Sequence, residues 1–438
     1  MEAKVEIVST ETIKPSTPTP DHLRDFKLSF FDQLILDQLY IPILLCYPHH
    51  DIKNAFGETS DYFSVISQKL KTSLSQTLTI YYPYCGTTVK DNISIECNDT
   101  GVVFIESKVH ANLSDILKNP LLGEMVRDFL PFDPYNFDEP EVNLAIQLNQ
   151  FSCGGIALGV SFNHKIGDAI TVGYFLKAWS LIARGQGSDV VVPQMETANL
   201  YFPQRNKESA NLRDIITKKE ELVTKRFTFS GTNLSRLRDK LSSSSKNLSR
   251  VEAVSALIWK AALEAAIATS KEQKIRASKV CHIVGIRPRM VPPLPDVTRG
   301  NTYVHSLSPS LELKGDVGLH DFAEMTRKAV RSIDADYVSR LKGDGILKAL
   351  EELKAPTEEG VPIYTFSGVS RSKYYESDFG WGKPTWVGTV ARRPLKNAIL
   401  LLPTRDSEGA EAWVTLSKVD MVEFERNPEL LHYVSLDS

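Results

Sequence analysis

Between Val142 and Ala183 the apolar period of the chain changes from two residues to a helical spacing, with one histidine at the junction. Val142, Leu144, Ile146 and Leu148 alternate with Asn143, Ala145 and Gln147, the pattern of a half-buried strand. Cys153-Gly154-Gly155 supplies a turn, and Ile156, Leu158, Val160 and Phe162 resume the alternation, which predicts a β-hairpin. Val172, Phe175, Leu176, Trp179, Ile182 and Ala183 then recur as on one face of a helix. His164 shares the parity of Phe162 and is expected on the apolar face at the strand end. Asp168 falls near the first turn of the helix, where a carboxylate is favoured by exposed N–H groups.

His-x-x-x-Asp alone is a weak signal, and two readings of His164 stand side by side. In one it is a core histidine bonded to a backbone carbonyl, with Asp168 capping the helix. In the other a neutral imidazole on a rigid strand end takes a proton from a substrate hydroxyl. The ordinary histidine pKa of about 6.5 suits that task near neutral pH. Asp168 is expected to hold the turn in shape by pairing with an arginine, and Arg287 is the preferred partner.

The chain has 438 residues, long for one core, and predicts two domains of about two hundred residues each. Hydrophobic residues at 42% and charged residues at 24% are ordinary for a soluble globular protein. A net charge of −3 gives no support for nucleic-acid or anionic-membrane binding. Five scattered cysteines without a Cys-x-x-Cys pair imply free thiols in a reducing compartment and no zinc site. Met1 to Glu6 lack a signal-peptide pattern and no run approaches eighteen apolar residues, so a cytoplasmic enzyme is expected.

The predicted organisation is an N-terminal domain over 1–184, a crossover over 185–225 and a C-terminal domain over 226–438. Val5 to Val8 and Val102 to Ile105 read as strands, with a helix from Tyr62 to Leu78. Phe227 and Phe229 alternate with Arg226, Thr228 and Ser230 and open the second half with a strand. Ser242 to Ser245 is a low-complexity loop. Ser249 and Glu252 form a capping box for a strongly apolar helix, in which Trp259 is expected in the core and Lys260 in solvent. Val280 to Ile286 predicts a buried strand ending in Arg287-Pro288-Arg289. Arg289 either solvates that turn or offers its planar fork to a phosphate. Asp378-Phe379-Gly380-Trp381-Gly382 reads as a rigid turn in which Asp378 is structural.

Taken in order, these landmarks resemble the BAHD family, the acyl-CoA-dependent acyltransferases of plants, and the subgroup that contains vinorine synthase. The resemblance runs nearly end to end. It rests on Leu28 to Gln33, Tyr81-Tyr82-Pro83-Tyr84-Cys85-Gly86, His164 with Asp168, Arg250 to Ala256, Arg287 to Met290, Gly300-Asn301, the Asp378–Gly382 run and Glu411 to Val414. It implies an α/β fold of two chloramphenicol-acetyltransferase-like domains, each a mixed β-sheet flanked by helices, with a channel at their interface. It implies His164 as catalytic base and Ser255, Arg289, Asn301 and Ser367 as coenzyme A contacts or oxyanion donors. Asp378, Gly380, Trp381 and Gly382 carry over as a structural motif. No cofactor or metal is implied; acyl-CoA, with acetyl-CoA preferred, is a co-substrate, and a monomer is expected.

The chain also departs from the family. The usual Thr-Ser-Trp segment is Phe366-Ser367-Gly368-Val369 here, which implies a roomier acceptor pocket, and the usual Tyr-Phe-Gly-Asn is Thr298-Arg299-Gly300-Asn301. The expected activity is O-acylation of an alkaloid, terpenoid or quinone. The alternatives are N-acylation of an amine and a non-catalytic protein that binds acyl-CoA or a metabolite.

Overall fold

The computed structural model describes residues 4–57, 61–89, 93–118, 125–136, 141–205, 221–242, 248–270, 275–315, 317–354, 360–369, 371–389 and 395–435. The serine run beyond Ser242 and the 206–220 part of the expected crossover lie outside the described residues. Packing divides the chain into two units that are not contiguous in sequence. The first holds 1–216, 295–302 and 371–390; the second holds 217–294, 303–370 and 391–438.

The first unit is built on a six-stranded mixed sheet. Its order is Val5–Ile13, Val102–Val109, Leu144–Phe151, Ile156–Asn163, Tyr40–Tyr47 and Trp386–Gly388. Only Val102–Val109 and Leu144–Phe151 run parallel. The predicted hairpin is the centre of this sheet, and it is buried on both faces, not one. Gln147, expected on the outward face, instead forms a buried polar ladder with Asn149. Gln147 donates to the Asn149 Oδ1 at 2.8 Å, and the Asn149 amide donates to the carbonyls of Phe129 and Ala157. Satisfied in this way, polar groups are tolerated in a core where an orphan would cost dearly. Segment 125–130 covers that second face so closely that a Cβ on Gly159 would sit 2.2 Å from the Phe129 carbonyl oxygen.

The helix Tyr62–Ile80 packs with Ala169–Ala183, which carries the predicted apolar face. Trp179 is fully buried there, and its Nε1–H reaches Ser73 Oγ at 3.0 Å. The Asp378–Gly382 run also belongs to this unit, although the sequence reading placed it in the C-terminal domain. The physical reason is the short strand that follows it, Trp386–Gly388, which pairs with Tyr40–Tyr47 at the edge of the first sheet.

The second unit has a mixed sheet in the order Tyr303–Leu307, Ala277–Gly285, Ile363–Gly368, Ala398–Pro403, Ala410–Ser417 and Leu222–Phe229. The capping box at Ser249 and Glu252 opens the helix Arg250–Thr269, which lies against this sheet with Leu319–Ser332 and Lys418–Phe424. Trp259 is buried and donates to Ser278 Oγ at 2.7 Å. Lys260 is not free in solvent: it is ion-paired to Glu264 at 2.6 Å and to Glu429 at 2.9 Å. All five cysteines are free thiols. No helix among the described residues is long and apolar enough to cross a membrane.

Candidate active site

The central strand Ile156–Asn163 ends in a single 3-10 turn, His164–Ile166, and the chain then enters the helix Ala169–Ala183. Sequence causes the stop. Asn163 caps the turn by accepting the Lys165 N–H, and Gly167 sits where a Cβ would lie 2.5 Å from Thr171 Cγ2. Asp168 is the N-cap: its Oδ1 accepts from the Thr171 N–H and the Thr171 hydroxyl, both at 3.0 Å. Its second oxygen faces the N–H and hydroxyl of Thr302 at 3.4 and 3.5 Å.

His164 is held through its backbone. Its N–H donates to the Leu39 carbonyl at 2.8 Å, and its own carbonyl accepts from Asn301 Nδ2 at 2.8 Å. Desolvation pulls the imidazole below its ordinary pKa of 6.5. Hydrogen bonding within its own residue, the Asp168 charge, Asn301 and the Asp32 charge push the other way and are outweighed. At neutral pH the ring is therefore uncharged and able to accept a proton.

Behind this turn lies a constellation that sequence reasoning did not assign. Asp32 is fully buried and accepts five hydrogen bonds. Its Oδ2 takes the Ser29 N–H, the Ser29 hydroxyl and Arg299 Nη2; its Oδ1 takes the N–H and the Nδ2 of Asn301, at 2.8 and 2.9 Å. Arg299, itself 1% exposed, forms the ion pair at 2.7 Å and also donates to the carbonyls of Ile166 and Met195. Its guanidinium lies 4.6 Å from the centre of the Phe26 ring. Gly300, at φ 108°, passes close enough that a Cβ would meet Asp32 at 3.2 Å. One local signal was available: Ser29-x-x-Asp32 is a capping-box pattern, and the structure forms that box. The partner 267 residues away carried no such mark.

Asn301, expected as a coenzyme A contact or oxyanion donor, has both Nδ2 protons engaged, by Asp32 and by the His164 carbonyl. As placed, it holds the backbone of the His164 turn and has no amide proton left for an oxyanion. Asp378 also acts on backbone. Its Oδ1 accepts from Gly380 and Gly382 N–H at 2.8 and 3.0 Å, and Arg184 lies 3.7 Å from its other oxygen. Gly380 and Gly382 both adopt positive φ, at 112° and 98°. Trp381 is buried and stacks on Phe379 at 5.7 Å.

The remaining candidates belong to the second unit. Ser255 is fully buried on the helix Arg250–Thr269, and its Oγ has no hydrogen-bond partner among the described residues. Ser367 is half-buried on the strand Ile363–Gly368. Arg287 is buried in a 3-10 turn after Ala277–Gly285. Arg289 follows in the same turn and donates its Nη1 to the carbonyls of Val330 and Ile333, closing the C-terminal end of Leu319–Ser332.

Sequence and structure comparisons identify the relatives of this arrangement. The profile of the transferase family matches residues 3–431. Limonoid 1-O-acetyltransferase of Citrus sinensis is 36% identical over 457 residues, covering 99% of each chain. Stemmadenine O-acetyltransferase of Catharanthus roseus is 35% identical, covering 96% of each. The crystal structure of vinorine synthase superposes with a TM-score of 0.85 at 34% identity, covering 99% of both chains. With its two mixed sheets flanked by helices and a full-length match to such enzymes, the chain belongs to the BAHD transferase family and is an acyl-CoA-dependent acyltransferase.

Proposed function

We propose that the protein transfers an acetyl group from acetyl-CoA to a hydroxyl of an alkaloid, terpenoid or quinone, with His164 as general base. The observation that carries this reading is the uncharged imidazole on a turn fixed from both sides, in a chain whose full-length relatives are O-acetyltransferases. The ring nitrogen of His164 takes the hydroxyl proton as the oxygen attacks the thioester carbonyl. The C–S bond breaks as the tetrahedral intermediate collapses, and the imidazolium returns the proton to the coenzyme A thiolate. Direct attack needs no covalent enzyme intermediate. Ser367 is the proposed donor toward the thioester oxygen, and Ser255 and Arg289 the proposed contacts to coenzyme A. A monomer acting in the cytoplasm belongs to the same proposal.

The test is thiol release from acetyl-CoA against a panel of hydroxylated limonoids, alkaloids, terpenoids and quinones. Acceptor-dependent release is expected from the wild type and at least about 100-fold less from His164→Ala. Release that survives in the variant overturns the base assignment. Because the imidazole is held below 6.5, kcat/KM is expected to fall with acid with a midpoint under pH 6.5. A midpoint above 7 contradicts it. Val369→Trp is expected to depress turnover of bulky acceptors selectively; equal rates on small and bulky acceptors would remove the roomy-pocket reading.

A further inference from the structure

His164 is presented by the backbone turn that bears it, and Asn301, which holds its carbonyl, also hydrogen-bonds the ring. That turn is gripped at two carbonyls. Asn301 holds the His164 carbonyl at 2.8 Å and Arg299 holds the Ile166 carbonyl at 3.0 Å. Both grips converge on one carboxylate, since Asp32 binds Arg299 at 2.7 Å and accepts from the backbone N–H and the Nδ2 of Asn301 at 2.8 and 2.9 Å. All three side chains are at least nine-tenths buried, and the segment that carries Arg299 and Asn301 is pinned to Thr171 and Asp168 as well.

We infer that Arg299 is a positioning residue for the transfer step: through Asp32 and Asn301, and directly at Ile166, it fixes the turn that aims His164. This rests on His164 being the base and adds to it the device that sets the base's geometry. A guanidinium suits the place because three acceptors, on Asp32, Ile166 and Met195, surround one planar fork. A lysine would satisfy the charge but could not span the three. A buried pair in this position also keeps the Asp32 charge from acting unopposed on the imidazole. Among the described residues, titratable groups at this turn include Asp168 and Lys165 with its partner Asp37, and the buried phenols of Tyr84 and Tyr374 feel the Asp168 charge.

The test compares Arg299→Met, Arg299→Lys and Asp32→Asn with the wild type. Steady-state kinetics are read together with the histidine titration by 15N NMR, His164→Ala assigning the resonance. Arg299→Met is expected to lower kcat about 100-fold, the scale of a misplacement near 1 Å, with KM for acetyl-CoA nearly unchanged. Its acid limb and its His164 titration should move to higher pH, because Asp32 is left unopposed. Asp32→Asn should move both to lower pH, and Arg299→Lys should recover the titration but only part of kcat. If Arg299→Met does not fold, the lysine and asparagine variants carry the same comparison. Folded variants with wild-type kcat, or losses that follow the unfolded fraction with an unmoved titration, overturn the positioning role. Full activity in His164→Ala overturns the base assignment instead, so the two failures are told apart.

Discussion

At the scale of single residues, burial lowers the pKa of two histidines in different surroundings. His164 is desolvated but faces the opposing charges of Asp168 and Asp32, whereas His282 is buried on the strand Ala277–Gly285 and stacked on Phe366 at 5.3 Å. Burial pushes the His282 pKa down to about 4. The unfolded chain then binds a proton that the folded one refuses between about pH 6.5 and 4. Stability is complete above pH 6.5 and is lost as pH falls through that window, by up to about 3 kcal/mol. Denaturant melts of the wild type and His282→Leu at pH 7.5 and 5 should show a smaller pH penalty in the variant; equal penalties would contradict the assignment. Asp378→Ala removes the acceptor of two glycine N–H groups and should cost about 2–3 kcal/mol of stability, with the specific activity of folded molecules retained. A loss of kcat in fully folded material would instead give Asp378 a part in the chemistry.

At the scale of elements, local patterns were legible and long-range ones were not. The hairpin, the helix after it and the Ser249–Glu252 box were readable because each is written in the spacing of neighbours. Burial of the hairpin on both faces was not, because it depends on segment 125–130, which has no periodic link to the strands. Gly159 records that contact. Gly159→Ala should destabilise the protein by about 1–3 kcal/mol, since the added carbon meets a backbone carbonyl that no rotamer change can move. An unchanged melting temperature would mean that the covering segment yields. The site divides in the same way. His164 and Asp168 were visible nine and thirteen residues after the turn signal that ends at Gly155, while Asp32 and Arg299 became partners only through folding.

At the scale of the whole molecule, the first unit is completed by two short returns of the chain, 295–302 and 371–390. The first return brings Arg299 and Asn301 to Asp32 and to the turn of His164; the second brings the Asp378–Gly382 turn and the last strand of the sheet. A fragment ending at 216 keeps the histidine but leaves Asp32 buried without its cation. Such a fragment is expected to show no cooperative thermal transition by circular dichroism; a sharp transition would show that the returns are dispensable. The same threading constrains how a relative's specificity could be transplanted into this chain. A single crossover at the midpoint would graft foreign returns onto a native sheet, pairing one parent's Asp32 with the other parent's residue 299. A chimaera that respects the units needs junctions near 216, 294, 302, 370 and 390, so recombination here has to follow the packing and not the order of the gene.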